Sequence, residues 1–275
     1  MKITLYGTRG SIPVCDPNFI KFGGNTSSAL FEFDDGNLLI CDAGTGIRQI
    51  GKDLLARKEG IPNNQIIIAF THFHWDHIQG FPFFRPAYDP NINIVIYSMG
   101  KDRRDQDIPS LFKTQMQSSY FPVPLEKMGA KFHFLYSKHE ELNWQGKKVK
   151  ILKHQHPGDA YSFRFDLENG KSFVFCTDIE HGTEIDPRIV ELAKGADILI
   201  HDAQYTEEEL KDRRGWGHSS WEQAVEVAER AQVKNLYLTH HDPDHDDDFL
   251  LNMEAKCQKR FPCSQIARDG MEIIL

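Results

Sequence analysis

Ile66-Ile67-Ile68-Ala69-Phe70-Thr71-His72-Phe73-His74-Trp75-Asp76-His77 joins a run of five apolar residues to four ligand-type side chains spaced over six positions. A short continuous apolar run is the mark of a strand buried on both faces. So many imidazoles and carboxylates in so short a span can surround a metal ion only where the backbone turns sharply, and the end of a strand supplies that turn. Histidine and carboxylate donors without cysteine suit zinc, with manganese or iron as further fits.

The same arrangement recurs outward from this stretch. Leu38 to Cys41 runs into Asp42, Phe173 to Cys176 into Thr177-Asp178, Ile198 to Ile200 into His201-Asp202, and Leu236 to Leu238 into Thr239-His240. Polar strand ends of this kind collect along one edge of a sheet, where α/β proteins place their sites. Between the strands, residues 47–58 carry Ile47, Ile50, Leu54 and Leu55 on one helical face, and Asp186-Pro187 reads as the cap and first position of a helix over 188–194. Ser219-x-x-Glu222 has the spacing of a capping box ahead of a helix over 221–231. The expectation is an α/β chain without internal sequence repeat, forming one domain over 1–275. Residues 98–136 break the alternation with a charged run over 101–107 and Tyr120-Phe121-Pro122-Val123-Pro124, and read as an insertion or lid.

Composition narrows the function. The chain has 275 residues with 32 Lys+Arg against 40 Asp+Glu, a net charge of −8 that argues against gripping long nucleic acid or an anionic membrane through charge. No apolar run reaches the length of a membrane span, and Met1-Lys2 leads straight into ITLYG without a secretory leader pattern. Cysteines at 15, 41, 176, 257 and 263 show no CxxC pairing, which points to a reduced, cytoplasmic protein.

The HxHxDH pattern of His72, His74, Asp76 and His77 resembles the metal-binding signature of the metallo-β-lactamase superfamily. The likeness continues through His156 in HQHPGDAYSFRF, Asp178 in FVFCTD and His240 in LYLTHHDP, which follow in the family's order. It implies an αβ/βα four-layer sandwich of two mixed sheets, the metallo-β-lactamase fold, holding two divalent metal ions, in first place Zn2+ and otherwise Mn2+. The implied ligands are His72, His74 and His156 on one ion and Asp76, His77 and His240 on the other, with Asp178 bridging. Asp42 in CDAGTG matches the early aspartate that orients the ligand loop. On spacing alone, His154 and His241 compete for two of the ligand places.

LIHDAQYT followed by GWGHSSWEQAVEVAERAQVKNLYLTH is similar to the ribonuclease Z type of phosphodiesterase, in which an acidic residue after a strand orients a histidine in a GHS turn. Asp202 and His218 hold those positions. A phosphodiester leaves as an alkoxide, so a positioned acid should protonate it. A carboxylate behind the imidazole fixes its tautomer and favours its charged form. Asp76 and Asp178 would position the attacking water. The segments GTRGSIPV and FGGNTSS share the likeness and offer Ser11, Asn25 and Thr26 as donors. Phe81-Pro82-Phe83-Phe84-Arg85-Pro86 and Tyr88 stack on a base or fill the core, and Asp242 to Asp248 reads as a solvated acidic loop whose start at His241-Asp242 adjoins a metal ligand.

The resemblance implies a small phosphodiester or nucleotide substrate, in first place 3′,5′-cyclic nucleotides, because the motifs are similar to those of compact cyclic-nucleotide-degrading members such as the anti-Pycsar phosphodiesterases. tRNA 3′-end processing is the alternative, weakened by the net charge and by the lack of a recognisable basic, glycine-rich arm. A thioesterase or β-lactamase would leave Asp202 and His218 idle, and a flavodiiron centre departs from the pattern at His77. A non-catalytic nucleotide-binding sensor fits poorly with a complete ligand set. The excursion over 98–136 and the dimers common in this branch lead to the expectation of a homodimer.

Overall fold

A computed structural model describes residues 1–100 and 107–275, so the charged residues 101–106 of the expected insertion lie outside the described residues. The chain divides into two compact units, 1–7 with 25–138 and 270–274, and 8–24 with 139–269 and 275. Each is built on its own seven-stranded mixed sheet.

The first unit contains β1 (Lys2–Gly7), β2 (Ser28–Glu32), β3 (Leu38–Cys41), β4 (Gln65–Phe70), β5 (Asn93–Ser98), β6 (Lys131–Tyr136) and β14 (Met271–Ile274), in the order β14-β1-β2-β3-β4-β5-β6. Pairing is antiparallel from β14 to β3 and parallel from β3 to β6. Ile66, Ile68 and Phe70 of β4 are fully buried in one cluster with Ile47, Ile50 and Leu54 of α1 (Ile47–Leu55). Each such side chain contributes about 1.5–3 kcal/mol. Helix α1 stops three residues short of the span expected from its apolar face. Arg57 instead reaches Glu32 at 2.6 Å, and Gly60 takes a left-handed φ of +75° ahead of Ile61-Pro62.

The expected insertion also narrows. Residues 131–136 are strand β6, paired in parallel with β5 from Asn93↔Lys131 to Ser98↔Tyr136. Its residues alternate between exposed and half-buried, so this edge strand lacks the apolar run that marks the central ones. Within the rest, α3 (Ile108–Gln115) seats Phe112 against Phe70 and Phe81, with ring centroids 5.4 and 4.5 Å away.

The second unit contains β7 (Glu141–Trp144), β8 (Lys147–His154), β9 (Ala160–Asp166), β10 (Ser172–Cys176), β11 (Ile198–Asp202), β12 (Asn235–Thr239) and β13 (Ser264–Ile266), in the order β13-β12-β11-β10-β9-β8-β7. Strands β10 to β13 are parallel and β7 to β10 antiparallel. Every residue of β10 and β11 is buried, as expected from their continuous apolar runs. Helices α4 (Pro187–Ala193), α6 (Trp221–Ala231) and α7 (Asp247–Arg260) pack on this sheet through Ile189, Val227 and Met253 among others. Asp186 caps α4 as the sequence suggests, accepting from Arg188 N at 2.9 Å. The capping box of α6 sits one residue later than expected, between Ser220 and Gln223. Ser219 is taken instead by Asp202, whose Oδ1 accepts from its backbone N–H at 2.8 Å.

The segment 8–24 enters the second unit through Arg9, whose side chain is completely buried. Its Nε donates to Gly23 O at 2.9 Å, and its Nη1 donates to Asp242 O at 3.1 Å and His245 O at 2.6 Å. Asp246 caps α7 by accepting from Phe249 N, and the Asp247 carboxylate accepts from Lys21 N and Phe22 N. The stretch 242–248 is therefore a bound loop organised around a buried cation, which corrects its reading as a solvated acidic run. No helix among the described residues is long and apolar enough to cross a membrane.

Replacing Arg9 leaves three carbonyls without their donor, two of them reached from within the core. Arg9→Met should cost ~1–3 kcal/mol, the range for orphaned buried acceptors. Urea denaturation of the purified variant measures it, and a loss under half a kilocalorie would refute the role.

Candidate functional site

In the first unit the site grows from the ends of β3 and β4. Asp42 leaves β3 with a left-handed φ of +61° and is fully buried. Its Oδ1 accepts from Thr71 N at 2.9 Å, and its Oδ2 accepts from Thr71 Oγ1 and from His77 Nδ1, each at 2.9 Å. Thr71 Oγ1 in turn accepts from His72 Nδ1 at 3.1 Å. With Nδ1 engaged, both rings present Nε2, and that of His77 lies 3.3 Å from Asp76 Oδ2. His74 precedes the single-turn helix α2 (Trp75–Ile78) and carries Asp76 and His77 into it. The rings of His72 and His74 lie 4.5 Å apart, and those of His72 and His77 4.1 Å. One strand end followed by one helical turn thus brings these histidines together.

Asn25 and Thr26 brace this loop from behind. Thr45 Oγ1 donates to Asn25 Oδ1, while Thr26 Oγ1 accepts from Thr45 N and Gln79 Nε2, each bond measuring 3.0 Å. Of the aromatic run after the ligands, Phe81 and Phe84 are core and Tyr88 donates to Pro82 O. Phe83 alone of the run's phenylalanines is exposed. With Phe73, Trp75, Leu111, Tyr120 and Phe121 it lines a cleft of about 670 Å³.

In the second unit two more strand ends carry left-handed non-glycine residues, Asp178 after β10 (φ +58°) and His240 after β12 (φ +65°). Such backbone costs on the order of 1 kcal/mol or more per residue and persists only where neighbours hold it. Asp178 N donates to Asp202 Oδ2 at 3.1 Å, and His240 Nδ1 donates to Gln204 Oε1 at 3.3 Å. Gln204 Nε2 donates to Ser11 Oγ at 3.2 Å. His156 Nδ1 donates to Gly217 O at 2.8 Å. With Nδ1 engaged, His240 and His156 both turn Nε2 toward Asp178 Oδ1, at 3.1 and 3.8 Å. Imidazoles anchored at one nitrogen and converging with the other on a carboxylate form a donor set suited to a divalent ion.

Gly10 and Gly217 are required by close approach, and Gly217 also by its left-handed φ of +92°. A Cβ on Gly10 would lie 2.3 Å from His240 Nδ1, and one on Gly217 2.2 Å from His156 Nδ1. The glycines of GTRGS and GWGHS therefore let two imidazoles lie directly against backbone.

His218 stands beside these donors. Its Nδ1 donates to Asp202 Oδ2 at 2.9 Å, its ring stacks on His240 at 4.9 Å, and it meets His156 edge-on at 5.2 Å. Asp202, the last residue of β11, also accepts at Oδ1 from Ser219 N and from Gln204 N at 3.3 Å. Burial pushes its carboxyl upward, but the charge and hydrogen bond of His218 outweigh this and hold it below the usual carboxylate range. His156, Asp178 and His218 form one compact donor group, and Asp202, His218 and His240 another, so distance alone would also admit His218 as a ligand.

The two histidines that spacing left in competition are core residues. His154 is buried at the end of β8, and His241 Nε2 donates to Ala267 O at 2.8 Å. Burial pushes both down to about 3. A second buried pair, His181 and His201, was not joined by sequence reading. His181 Nδ1 accepts from Asp186 N, His181 Nε2 donates to His201 Nε2 at 3.3 Å, and His201 Nδ1 donates to Asp202 O at 2.7 Å. Burial lowers His181 to about 3 as well. Gln204, in the same LIHDAQYT segment, was likewise missed, since one glutamine after a strand carries no pattern.

Residues 37–241 match the β-lactamase superfamily domain, and the chain belongs to that superfamily. It is a metal-dependent hydrolase whose likeness within the superfamily is to the ribonuclease Z branch. Ribonuclease Z of Brevibacillus brevis is 37% identical over 115 residues, which are 40% of this chain and only 35% of that relative. The metallo-β-lactamase fold protein YhfI of Bacillus subtilis superposes with a TM-score of 0.69 at 21% identity, covering 99% of this chain and 98% of its own. A diphosphatase of the PhnP family gives 0.71 at 22% identity, covering 100% and 97%. The fold is the metallo-β-lactamase fold anticipated from the sequence.

The buried neutral histidines make stability depend on acid in a defined direction. A ring whose pKa is about 3 when folded and ~6.5 when unfolded takes up a proton only on unfolding, so stability falls as pH drops from ~6.5 toward 3. His154→Leu should remove ~1.4 kcal/mol per pH unit of that slope between roughly pH 5.5 and 4 in urea denaturation of metal-free protein. An unchanged slope would contradict the assignment of His154 as a neutral core residue.

Proposed function

We propose that the protein is a dinuclear metal-dependent phosphodiesterase acting on small substrates, in first place 3′,5′-cyclic nucleotides. The observation that carries this reading is the His218–Asp202 pair, 2.9 Å apart, with the imidazole stacked against His240. A thiolate leaves from a thioester without such an acid, whereas expulsion of an alkoxide from phosphorus calls for one. By the family pattern, His72, His74 and His156 would hold one ion and Asp76, His77 and His240 the other, with Asp178 serving both. The anchored imidazoles of both units fit this role. When bound, divalent ions, zinc before manganese, supply Lewis acidity and an activated water.

The protein's own groups supply the rest. Asp76 and Asp178 orient the attacking water. His218, with Nδ1 given to an ionised Asp202, carries its transferable proton at Nε2, and that proton goes to the leaving oxygen. A reducing, cytoplasmic setting accords with five free cysteines, three of them buried.

The ribonuclease Z likeness favours a second reading, tRNA 3′-end processing, against which stands the net charge of −8. A panel of cyclic mononucleotides, cyclic dinucleotides, precursor tRNA, a thioester and a β-lactam, with zinc and with manganese, separates these readings by product. Binding without product would instead mark a nucleotide sensor. We also propose a homodimer, which light scattering at micromolar concentration tests. A monomer there refutes it.

Protein purified without chelator should carry close to two metal equivalents per chain, and a content below one after reconstitution would refute the dinuclear site. His218→Ala should keep both ions and lose ~10²–10⁴-fold in turnover, the contribution of a positioned general acid. The loss should shrink on a nitrophenyl phosphodiester, whose leaving group departs without a proton. Asp202→Asn should show the same pattern more weakly. Loss of a metal equivalent in His218→Ala would make His218 a ligand instead.

A further inference from the structure

Two residues after Asp178 stands a carboxylate that the mechanism above does not use. Glu180 is 8% exposed, and its backbone N–H donates to Gln155 O at 3.0 Å, beside His156. Its side chain closes on the turn that precedes His218. Oε1 and Oε2 accept from Gly215 N at 2.9 and 3.0 Å, and Oε2 accepts from Gly217 N at 2.9 Å.

That turn has little stiffness of its own. Gly215 and Gly217 both adopt left-handed φ, +85° and +92°, and Trp216 between them is 61% exposed. Glycine backbone is costly to order, so a turn built on two of them needs an external clamp to keep one shape. An ionised carboxylate suits the task, because its two oxygens accept without presenting any donor and charge-assisted bonds are the stronger kind. A glutamine amide would offer one oxygen and aim an NH₂ group at a peptide N–H.

The clamped turn supports two side chains of the site. The Gly217 carbonyl accepts from His156 Nδ1, and the next residue, His218, is the one that donates to Asp202. We propose that Glu180 is a positioning residue that acts through this single turn on both imidazoles, setting the reach of His218 and the orientation of His156. The His218 half of this inference rests on the acid role proposed above.

The test uses Glu180→Gln in the metal-loaded enzyme, assayed on a cyclic nucleotide and on a nitrophenyl phosphodiester. On the cyclic nucleotide kcat should fall ~10–100-fold, the usual effect of losing an outer partner of a site, with KM changed less. The loss should shrink on the activated ester, and adding Glu180→Gln to His218→Ala should cost little beyond His218→Ala alone. Without turnover, the Gly215 and Gly217 amide resonances of the metal-free protein should move, and zinc affinity should weaken ~10-fold through His156. Equal losses on both esters with additive effects would reduce Glu180 to a stabilising contact and overturn the inference. If His218→Ala itself shows no dependence on the leaving group, the acid reading fails first, and unchanged zinc affinity would then remove the His156 half as well. Should the glutamine variant not fold, Glu180→Asp keeps the charge one methylene short and should give the same ester dependence with a smaller loss.

Discussion

The hydrogen bonds gathered by the buried carboxylate of Asp202 order most of the second unit's chemistry. This group ends β11 and accepts from His218 Nδ1, Ser219 N, Gln204 N and Asp178 N. Four donors from three segments meet on two oxygens, and each charge-assisted bond is worth about 1.5–3 kcal/mol net. Through Asp178 N it holds the left-handed turn after β10, through Ser219 it sets where α6 begins, and through Gln204 it reaches the residue that anchors His240. Asp42 plays the matching part in the first unit, with Thr71 and His77 as its donors.

Strain sits where these carboxylates can hold it. Asp42, Asp178 and His240 are three non-glycine residues in left-handed backbone, each within two residues of the end of a buried strand. A chain leaving such a strand by the ordinary route would carry its side chain away over the edge of the sheet. The left-handed step turns it back, and the neighbouring carboxylate or amide offsets its cost. The close approach of backbone at Gly10 and Gly217 follows from the same crowding, since imidazoles turned inward leave no room for a Cβ.

Charge is distributed by the same logic. The chain is acidic overall, yet it buries the cation of Arg9, whose Nη1 donates to two carbonyls of the acidic stretch. Several histidines are kept neutral by burial, while His72, His77, His156, His218 and His240 are tied at Nδ1 to an acceptor that fixes which nitrogen faces inward. Environment, and not residue type, separates the two groups.

Local pattern carried a large part of the fold. The apolar runs of β4, β10, β11 and β12, the Asp186 cap and the HxHxDH cluster after a strand were all legible, because burial on both faces and capping leave short-range signatures in the chain. Edge strand β6 was not legible, for a strand half open to solvent needs no apolar run. The start of α6 was misplaced by one residue because a distant carboxylate, not the local spacing, chooses between Ser219 and Ser220. His154 and His156 lie two positions apart in one sequence context, and only the packing of the sheet buries the first and turns the second toward Asp178. Arg9, Gln204 and Glu180 act through hydrogen bonds to residues far along the chain. Such contacts have no period and no spacing, so the sequence determined which strands and ligand types exist, and the tertiary structure alone decided which side chains meet.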